Sequence, residues 1–208
     1  MESGGAFAEV GPQARDAARA ALPRGLAAAA RAVIALADAA IAEVSGLPEW
    51  RDKFAGLACG AGCTPCCYQM VGVTPAEEAL LAEGAAALFP TRRKRLIRNA
   101  KDQAARAAGL DPAGYWAAKL PCAALAEDGK CVLHAHRPLA CRGFNSADAG
   151  VCRRSLDGES VRIPVLAAQF AIWGNAQAGL AQALAEAAIP PGPAPLSAAW
   201  GRVLKSLS

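Results

Sequence analysis

Eight cysteines are the residues of this 208-residue chain whose type and spacing suggest a specific chemistry. Four of them fall within nine positions, namely Cys59, Cys63, Cys66 and Cys67. The residues between them are glycines, a proline and small side chains, which let a backbone turn several sulfurs toward one centre. The other four are Cys122, Cys131, Cys141 and Cys152, at steps of 9, 10 and 11 residues. Only the fold can bring these later cysteines together.

Metal ligation explains the cysteines better than a disulfide framework does. Neighbouring cysteines such as Cys66 and Cys67 are awkward in a set of disulfides but can serve two metal centres. Residues 1–5 lack the basic start, apolar stretch and cleavage site of a signal peptide, so we expect the cytoplasm, which keeps thiols reduced. We therefore predict that all eight cysteines bind metal, in one or two centres of zinc or iron.

Two kinds of metal centre agree with the pattern. Eight thiolates could complete two closed tetrahedral zinc sites, which are structural in character. Alternatively, Cys59, Cys63 and Cys66 have the spacing by which radical-SAM enzymes hold three corners of a [4Fe–4S] cluster. Against such an enzyme, the alanine-rich chain lacks the alternating strands and helices of a barrel. The native metal and any enzymatic activity are left open at this point.

Two histidines, the only ones in the chain, and two arginines accompany the later cysteines. His134 follows Cys131 at a spacing that could chelate, but for His134 and His136 hydrogen bonding or packing beside the site is the favoured interpretation. Four thiolates around a divalent ion leave a charge of about −2, which Arg137 and Arg142 are predicted to offset. Two histidines beside a cysteine cluster give no basis for a Ser-His-Asp triad.

Helices must position these residues. Apolar residues make up 54% of the chain, much of it alanine, and aromatic residues only 5%, which favours close-packed helices over sheets. We predict a mainly α protein, a single helical domain organised around the cysteine-rich metal site with a small β-hairpin. Its parts are N-terminal helices over residues 1–58, the cysteine cluster over 59–155, and C-terminal helices over 156–208 that pack on it as one globular unit.

Caps, prolines and apolar spacing locate the helices. They are predicted at 12–21, 24–45, 49–54, 75–88, 90–108 and 112–120, after Ser146 or Asp148, at 163–185 and over the last dozen residues. Thr74-Pro75-Ala76-Glu77 is the clearest start, with an N-cap, a proline at the first helical position and a capping-box glutamate. Asp128-Gly129 predicts a turn that pairs 123–125 with 131–133 as a hairpin and brings Cys122 close to Cys131.

Charge and hydropathy limit the partners. Two zinc ions with eight thiolates would bring the net charge of +4 close to zero, and a [4Fe–4S] cluster with four thiolates would leave about +2. The basic run from Arg92 to Lys101 is interpreted as a solvated helix face, so nucleic acid is not favoured. Residues 163–185 carry no charge, but their glutamines, asparagine and glycines favour a packed helix over a membrane span. Metal ions are the predicted partners, and no protein partner is indicated.

These motifs together resemble the bacterial CxxCxxCC family, the zinc- or iron-chelating domain of YkgJ-like proteins. The resemblance rests on Cys59-x3-Cys63-x2-Cys66-Cys67-Tyr, Val73-Thr74-x2-Glu77-Glu78-Ala79, Pro121-Cys122, and Cys131-Val-Leu-His134-x-His136-Arg137-Pro138-Leu-Ala-Cys141-Arg142-Gly-Phe144. It covers about residues 59–152. Three residues separate Cys59 from Cys63, whereas the family's name implies two.

The resemblance implies that the cysteines bind zinc or iron. A related cysteine motif occurs in flagellin lysine methylases, so an iron–sulfur enzyme acting in methyl transfer is one alternative function. A zinc-organised module that binds nucleic acid or protein is another. The first expectation remains a metal-binding protein with structural or metal-handling sites.

Overall fold

The computed structural model describes residues 7–190 and 192–205. The expectation about a signal peptide concerns residues 1–5, which lie outside this range. The described helices are α1 (Val10–Ala21), α2 (Leu26–Gly46), α3 (Pro48–Ala55), α4 (Pro75–Ala86), α5 (Pro90–Ala107), α6 (Pro112–Ala117), α7 (Leu139–Gly143), α8 (Ala149–Asp157), α9 (Ala167–Glu186) and α10 (Leu196–Lys205). Three single turns of 3-10 helix are Leu22–Arg24, Pro65–Tyr68 and His134–His136. The prediction of a mainly α single domain is confirmed.

Three helix starts show side-chain caps at predicted positions. In α4, the Glu77 amide donates to the Thr74 hydroxyl oxygen at 3.3 Å, and the Thr74 amide donates to the Glu77 carboxylate at 2.7 Å, which completes the capping box. Asp111 accepts from the Gly114 amide at the start of α6. Asp148, and not Ser146, caps α8 by accepting from the Val151 amide at 3.0 Å. The backbone therefore enters these helices where the local sequence predicts.

The first hydrophobic core lies among α1, α2, α4 and α9. Its close packing depends on small residues: a Cβ atom added to Gly179 of α9 would lie 2.9 Å from the Cβ of Ala14 in α1. Ile172 and Leu180 of α9 are completely buried in this core. The prediction of a packed helix in the uncharged segment 163–185 is confirmed for α9, which begins only at Ala167, so residues 163–166 are not helical. Within the described residues, no helix has the length and apolarity needed to span a bilayer.

The second core packs α5 and α10 against α4 and the segment that follows α6. Leu96 and Trp200 are its largest fully buried side chains from α5 and α10. Arg202 of α10 forms two hydrogen bonds of 2.8 and 2.5 Å with the carboxylate of Glu78 in α4, which fixes α10 in place. The basic run of α5 lies mostly on its exposed face.

Two short antiparallel pairings complete the fold. Strand β1 (Gly72–Val73) pairs with β2 (Ala194–Pro195), so residues 192–195 wrap back onto the domain. The predicted hairpin forms through a single bridge between Leu125 and Cys131, and the Ala126 amide donates to the Lys130 carbonyl oxygen at 2.8 Å across the turn. This pairing holds the segments of Cys122 and Cys131 side by side.

Candidate metal centre

A cavity of about 610 Å³ lies beside the second core, and cysteines form one wall of it. Seven of the eight cysteines line this cavity, namely Cys59, Cys63, Cys66, Cys67, Cys122, Cys131 and Cys141. Cys152 does not line it, but its charge raises the pKa of Cys59 and of Cys63. All eight cysteines are free thiols. The structure therefore places the early and the later cysteines around one region.

Backbone hydrogen bonds join the two parts of the sequence that carry the cysteines. The Cys122 amide donates to the carbonyl oxygen of Cys67 at 2.8 Å. At the other end of the loop, the Ala58 amide donates to the carbonyl oxygen of Ser146 at 2.9 Å. The Ser146 amide in turn donates to the sulfur of Cys59 at 3.3 Å. The loop of residues 59–67 is thus held at both ends to the later cysteine segment.

Cys59, Cys63 and Cys152 form what we call the outer group. The pKa of Cys59 is raised by burial and then by the charges of Cys66 and Cys152, while the Ser146 amide opposes the shift. Burial also raises the pKa of Cys63, followed by the charges of Cys59, Cys66 and Cys152. Helix α8, which carries Cys152, packs against the Pro65–Tyr68 turn. Within this group Cys59 is exposed, whereas Cys63 and Cys152 are half-buried.

Cys122, Cys131 and Cys141 form what we call the inner group, since all three pack against the second core. Burial raises the pKa of Cys122 to about 12, and the charges of Cys131 and Cys66 add to it. Burial likewise raises the pKa of Cys141 well above its ordinary value, followed by the charges of Cys122 and Cys131. The pKa of Cys131 is raised by burial and opposed by the backbone amide of Leu133.

Cys66 interacts electrostatically with cysteines of both groups. Its pKa is raised first by its hydrogen bond with Cys67 and then by burial. Its own charge raises the pKa of outer cysteines such as Cys59 and of inner ones such as Cys141. Cys67 follows it in the same 3-10 turn, with its carbonyl oxygen bound to the inner segment through Cys122. The adjacent pair is therefore placed to serve both groups.

Arg137 is the positive charge of the inner group. Its guanidinium lowers the pKa of Cys66, Cys131 and Cys141. Its Nε atom is buried and has no hydrogen-bond partner. Because buried N–H groups are almost always paired, this one indicates a missing acceptor beside the thiols.

Arg142 lines the cavity and interacts with the charge of Cys141, and its hydrogen bonds hold the backbone around Arg137. Its Nε donates to the Arg137 carbonyl oxygen at 3.1 Å and its Nη2 to the Ala135 carbonyl oxygen at 2.9 Å. Its Nη1 also lies 3.9 Å from the carboxylate of Asp38 in α2. Arg142 therefore links the turn before α7 to the first core.

The two histidines have different surroundings. His134 lines the cavity, and the charge of Arg137 is the largest cause that lowers its pKa, followed by burial. His136 packs against α4, where a Cβ atom added to Gly84 would lie 2.6 Å from the His136 ring. Burial lowers the pKa of His136, followed by the charges of Arg31 and Arg142. His134 is therefore the histidine that can contact a bound group.

The donor set fits a thiophilic metal. Within residues 7–190 and 192–205, no three Cys, His, Asp or Glu side chains already stand at ligand spacing, so closure on an ion requires rotation of the cysteine side chains. Among the described residues the cavity wall contains seven cysteines and one histidine but no carboxylate. Sulfur and imidazole ligands select zinc, iron or copper, whereas magnesium and calcium take oxygen. The unpaired Nε of Arg137 fits an anionic thiolate centre.

Glu77 has a second role that the sequence pattern did not reveal. Besides capping α4, its Oε1 accepts from the Leu139 amide at 2.8 Å, at the start of the helix that carries Cys141. Gln177 of α9 also donates to both carboxylate oxygens at 3.3 Å. Burial raises the pKa of Glu77, and the hydrogen bonds from Thr74 and Leu139 oppose the shift. Glu77 therefore joins α4, α7 and α9 behind the inner group.

Gln103, Tyr115 and Trp200 were also missed by sequence reasoning. All three are buried and line the cavity beside Cys122. The sequence pattern could have identified Gln103. It is a polar residue on the face of α5 that also carries Leu96, Ala100 and Ala107, and the buried face of a helix is usually apolar. Their partners come from other helices, so their roles depend on tertiary structure.

Helices packed around a cavity whose wall is rich in cysteine define a mainly α protein of the metal-chelating class. The chain belongs to the CxxCxxCC family. The family model, described as "Putative zinc- or iron-chelating domain", matches residues 58–161, a span that contains all eight cysteines. No curated protein and no solved structure matches the chain significantly. The resemblance to the CxxCxxCC family is therefore confirmed.

Proposed function

We propose that this protein binds zinc or iron through its cysteines, in about two centres per chain because each tetrahedral ion takes four thiolates. The outer group and the inner group each supply three ligands. Of the adjacent pair Cys66 and Cys67, one completes the outer group and the other completes the inner group. The observation that carries the proposal is the single cavity where seven cysteines meet beside the unpaired Nε of Arg137.

The surrounding residues prepare the thiols for a metal. Backbone amides of Ser146, Ala124 and Leu133 lower the pKa of Cys59, Cys122 and Cys131 respectively, so each favours the thiolate form that binds metal. Arg137 adds a positive charge that offsets the negative charge of a thiolate centre. The metal itself would hold the loop 59–67, the hairpin, α7 and α8 together.

The two groups differ in how they hold a metal. The inner cysteines pack against a hydrophobic core, whereas the outer group includes the exposed Cys59 on a glycine-containing loop. We infer a permanent structural metal in the inner group and an exchangeable one in the outer group. Such a protein would work in a reducing compartment such as the cytoplasm. Residues 1–58 and 156–208 would act as helical supports of the cysteine segment in one globular unit.

A second candidate function is that of an iron–sulfur enzyme, and the size of the cavity favours it. Beyond the cysteines, the cavity extends to Met70, Leu81, Tyr115 and Trp200. Its volume of about 610 Å³ lies within the range of about 300–1,000 Å³ that small-molecule sites occupy. Two zinc ions bound by sulfur need no such apolar extension. A cluster at the cysteines would have room for an organic substrate beside it.

Metal analysis of protein prepared without oxygen distinguishes these candidates. A colourless protein with about two zinc ions per chain supports the zinc-binding form. A brown protein with iron and acid-labile sulfide supports the cluster. The proposal is overturned if metal-free protein takes up neither zinc nor iron. It is also overturned if thiol titration of the protein prepared without oxygen shows that the cysteines are joined in disulfides. Cys152→Ser and Cys141→Ser, one from each group, should each lower the metal content in their own group.

A further inference from the structure

Gln103 holds the backbone on both sides of Cys122. Its Nε2 donates to the Pro121 carbonyl oxygen at 2.9 Å, and its Oε1 accepts from the Ala123 amide at 3.3 Å. Gln103 is only 5% exposed, so these bonds form away from bulk water. The side chain thus fixes the position of the cysteine that begins the later cysteine segment.

The orientation of the Gln103 amide is determined by its partners. Its Oε1 also accepts from the indole Nε1 of Trp200 at 2.7 Å. Both the Trp200 indole and the Ala123 amide can only donate, so the oxygen of Gln103 must face them. The nitrogen must then face the other side, where it donates to the Tyr115 hydroxyl oxygen at 2.6 Å.

This arrangement determines what Tyr115 can do. Its hydroxyl oxygen accepts a hydrogen bond from the Gln103 amide, so its own O–H is left to donate elsewhere. Tyr115 is 2% exposed, and its ring packs with Ala107 and Leu120 in a small core of its own. The residue lines the same cavity as Cys122, and the Gln103 nitrogen that contacts its hydroxyl at 2.6 Å also donates to the carbonyl oxygen of Pro121, the neighbour of Cys122, at 2.9 Å.

We infer that the Tyr115 hydroxyl donates a hydrogen bond to the sulfur of Cys122 when that cysteine is a metal-bound thiolate. Gln103 is the positioning residue that turns the hydroxyl toward the sulfur. This inference rests on the proposed metal-binding function. A hydrogen bond to a ligating sulfur withdraws electron density from it, which changes the energy of sulfur-to-metal charge transfer and, with iron, raises the reduction potential. Tyr115 would thus adjust the inner centre without binding the metal.

Cobalt(II) reports on this hydrogen bond because its thiolate charge-transfer bands depend on the electron density at sulfur. The full-length chain and its Tyr115→Phe variant are loaded with cobalt without oxygen, and cobalt per chain is measured for both. We expect equal cobalt content and a charge-transfer band at longer wavelength in Tyr115→Phe. Tyr68→Phe is the matched control, because it removes the other tyrosine hydroxyl of the chain, which does not line the cavity.

A second measurement keeps the aromatic hydroxyl and changes only its strength as a donor. In the Tyr68→Phe background Tyr115 is the sole tyrosine, so biosynthetic 3-fluorotyrosine labels it alone. Fluorine makes the hydroxyl more acidic and the hydrogen bond stronger, so we expect the band to move to shorter wavelength, opposite to Tyr115→Phe.

The outcomes separate this inference from the proposed function. The role of Tyr115 is overturned if wild type and Tyr115→Phe show charge-transfer bands at the same wavelength with equal cobalt content. It is also overturned if fluorotyrosine shifts the band in the same direction as Tyr115→Phe does. In both cases metal binding itself stands. Absence of thiolate charge-transfer bands in all the proteins, wild type included, rejects metal binding itself and the inference with it.

Discussion

The backbone amide of Cys122 donates a hydrogen bond of 2.8 Å to the carbonyl oxygen of Cys67. This bond joins the last cysteine of the early loop to the first of the later segment. It involves only backbone atoms, so it is independent of any metal. The backbone therefore brings the two cysteine segments together without a metal, and the cysteine side chains would still have to rotate to close on an ion.

Removal of metal should leave most of the helical structure intact. Two hydrophobic cores bury the faces of α1, α2, α4, α5, α9 and α10 without any contribution from a metal. Far-UV circular dichroism of chelator-treated protein, with reductant present, should retain most of the helical signal, while the melting temperature falls. Complete loss of the helical signal, as in a zinc finger stripped of its ion, would show that the cysteine centre and not the cores holds the fold.

Replacement of Glu77 should destabilise the protein even though the residue binds no metal. In Glu77→Gln the side-chain amide cannot accept from both Thr74 and Leu139, and one buried donor is left unpaired, at a cost of about 1–3 kcal/mol. Urea unfolding of the metal-free protein measures the change. Glu43→Gln, at an exposed position of α2, serves as control and should stay within about 0.5 kcal/mol. Equal stability of both variants would show that the bond to Leu139 contributes little.

The sequence predicted the parts of this structure that depend on near neighbours. Capping residues such as Thr74 and Asp111 act on amides three residues ahead, so the starts of α4 and α6 were predictable. The turn at Asp128-Gly129 is equally local and predicted the pairing of Leu125 with Cys131. The cysteine spacing predicted the family because the pattern itself is what relatives share.

The sequence could not predict the roles of residues whose hydrogen-bond partners are distant in the chain. Gln103 acts through Pro121, Ala123 and Trp200, which come from other segments of the chain. The division of the cysteines into outer and inner groups also follows from how α7 and α8 are placed and not from spacing. The hydrogen bonds of Arg142 to the carbonyl oxygens of Ala135 and Arg137 were not foreseen either, and its predicted role in offsetting the charge of the site stays a prediction.

Metal should leave the two groups at different rates. The exposed Cys59 lets a chelator approach the outer group, whereas the inner group packs against the second core. Competition with a chromogenic chelator should show a fast phase and a slow phase of similar amplitude. Cys152→Ser should remove the fast phase alone and Cys141→Ser the slow phase alone. A single phase in the wild type, or loss of the same phase in both variants, would contradict two separate centres.

Arg137 should contribute more to metal retention than Arg142 does. Arg137 acts on three cysteines and has a buried Nε without a partner, whereas Arg142 acts on one cysteine, Cys141, and donates its hydrogen bonds to backbone carbonyl oxygens. We expect metal affinity to fall in Arg137→Ala by more than in Arg142→Ala, with both below wild type. Arg154→Ala is the control, because its exposed side chain pairs with Glu159 just after α8 and does not line the cavity. Unchanged metal affinity in Arg142→Ala would limit its role to local structure.

Metal binding should depend strongly on pH. The pKa of Cys122 is raised to about 12, mainly by burial, and burial also raises those of Cys131 and Cys141. These thiols are therefore protonated at neutral pH in the metal-free protein, and each must lose a proton to become a ligand. A centre of four thiolates should release about four protons per ion, so affinity rises with pH. Calorimetry in two buffers of different ionisation enthalpy counts these protons.

The same raised pKa values predict how the metal-free protein responds to alkali. A cysteine whose pKa is higher in the folded than in the unfolded state stabilises the fold while both states hold the proton, and this contribution is lost as pH rises through the folded pKa. For Cys122 the loss should occur between pH 9 and about 12. The free energy of unfolding, measured with reductant across this range, should fall in the metal-free protein and change less in the zinc-loaded one. In Cys122→Ser the decline should be shallower, because serine does not titrate there. Parallel declines in the variant and the wild type would mean that burial of Cys122 is not what couples stability to pH.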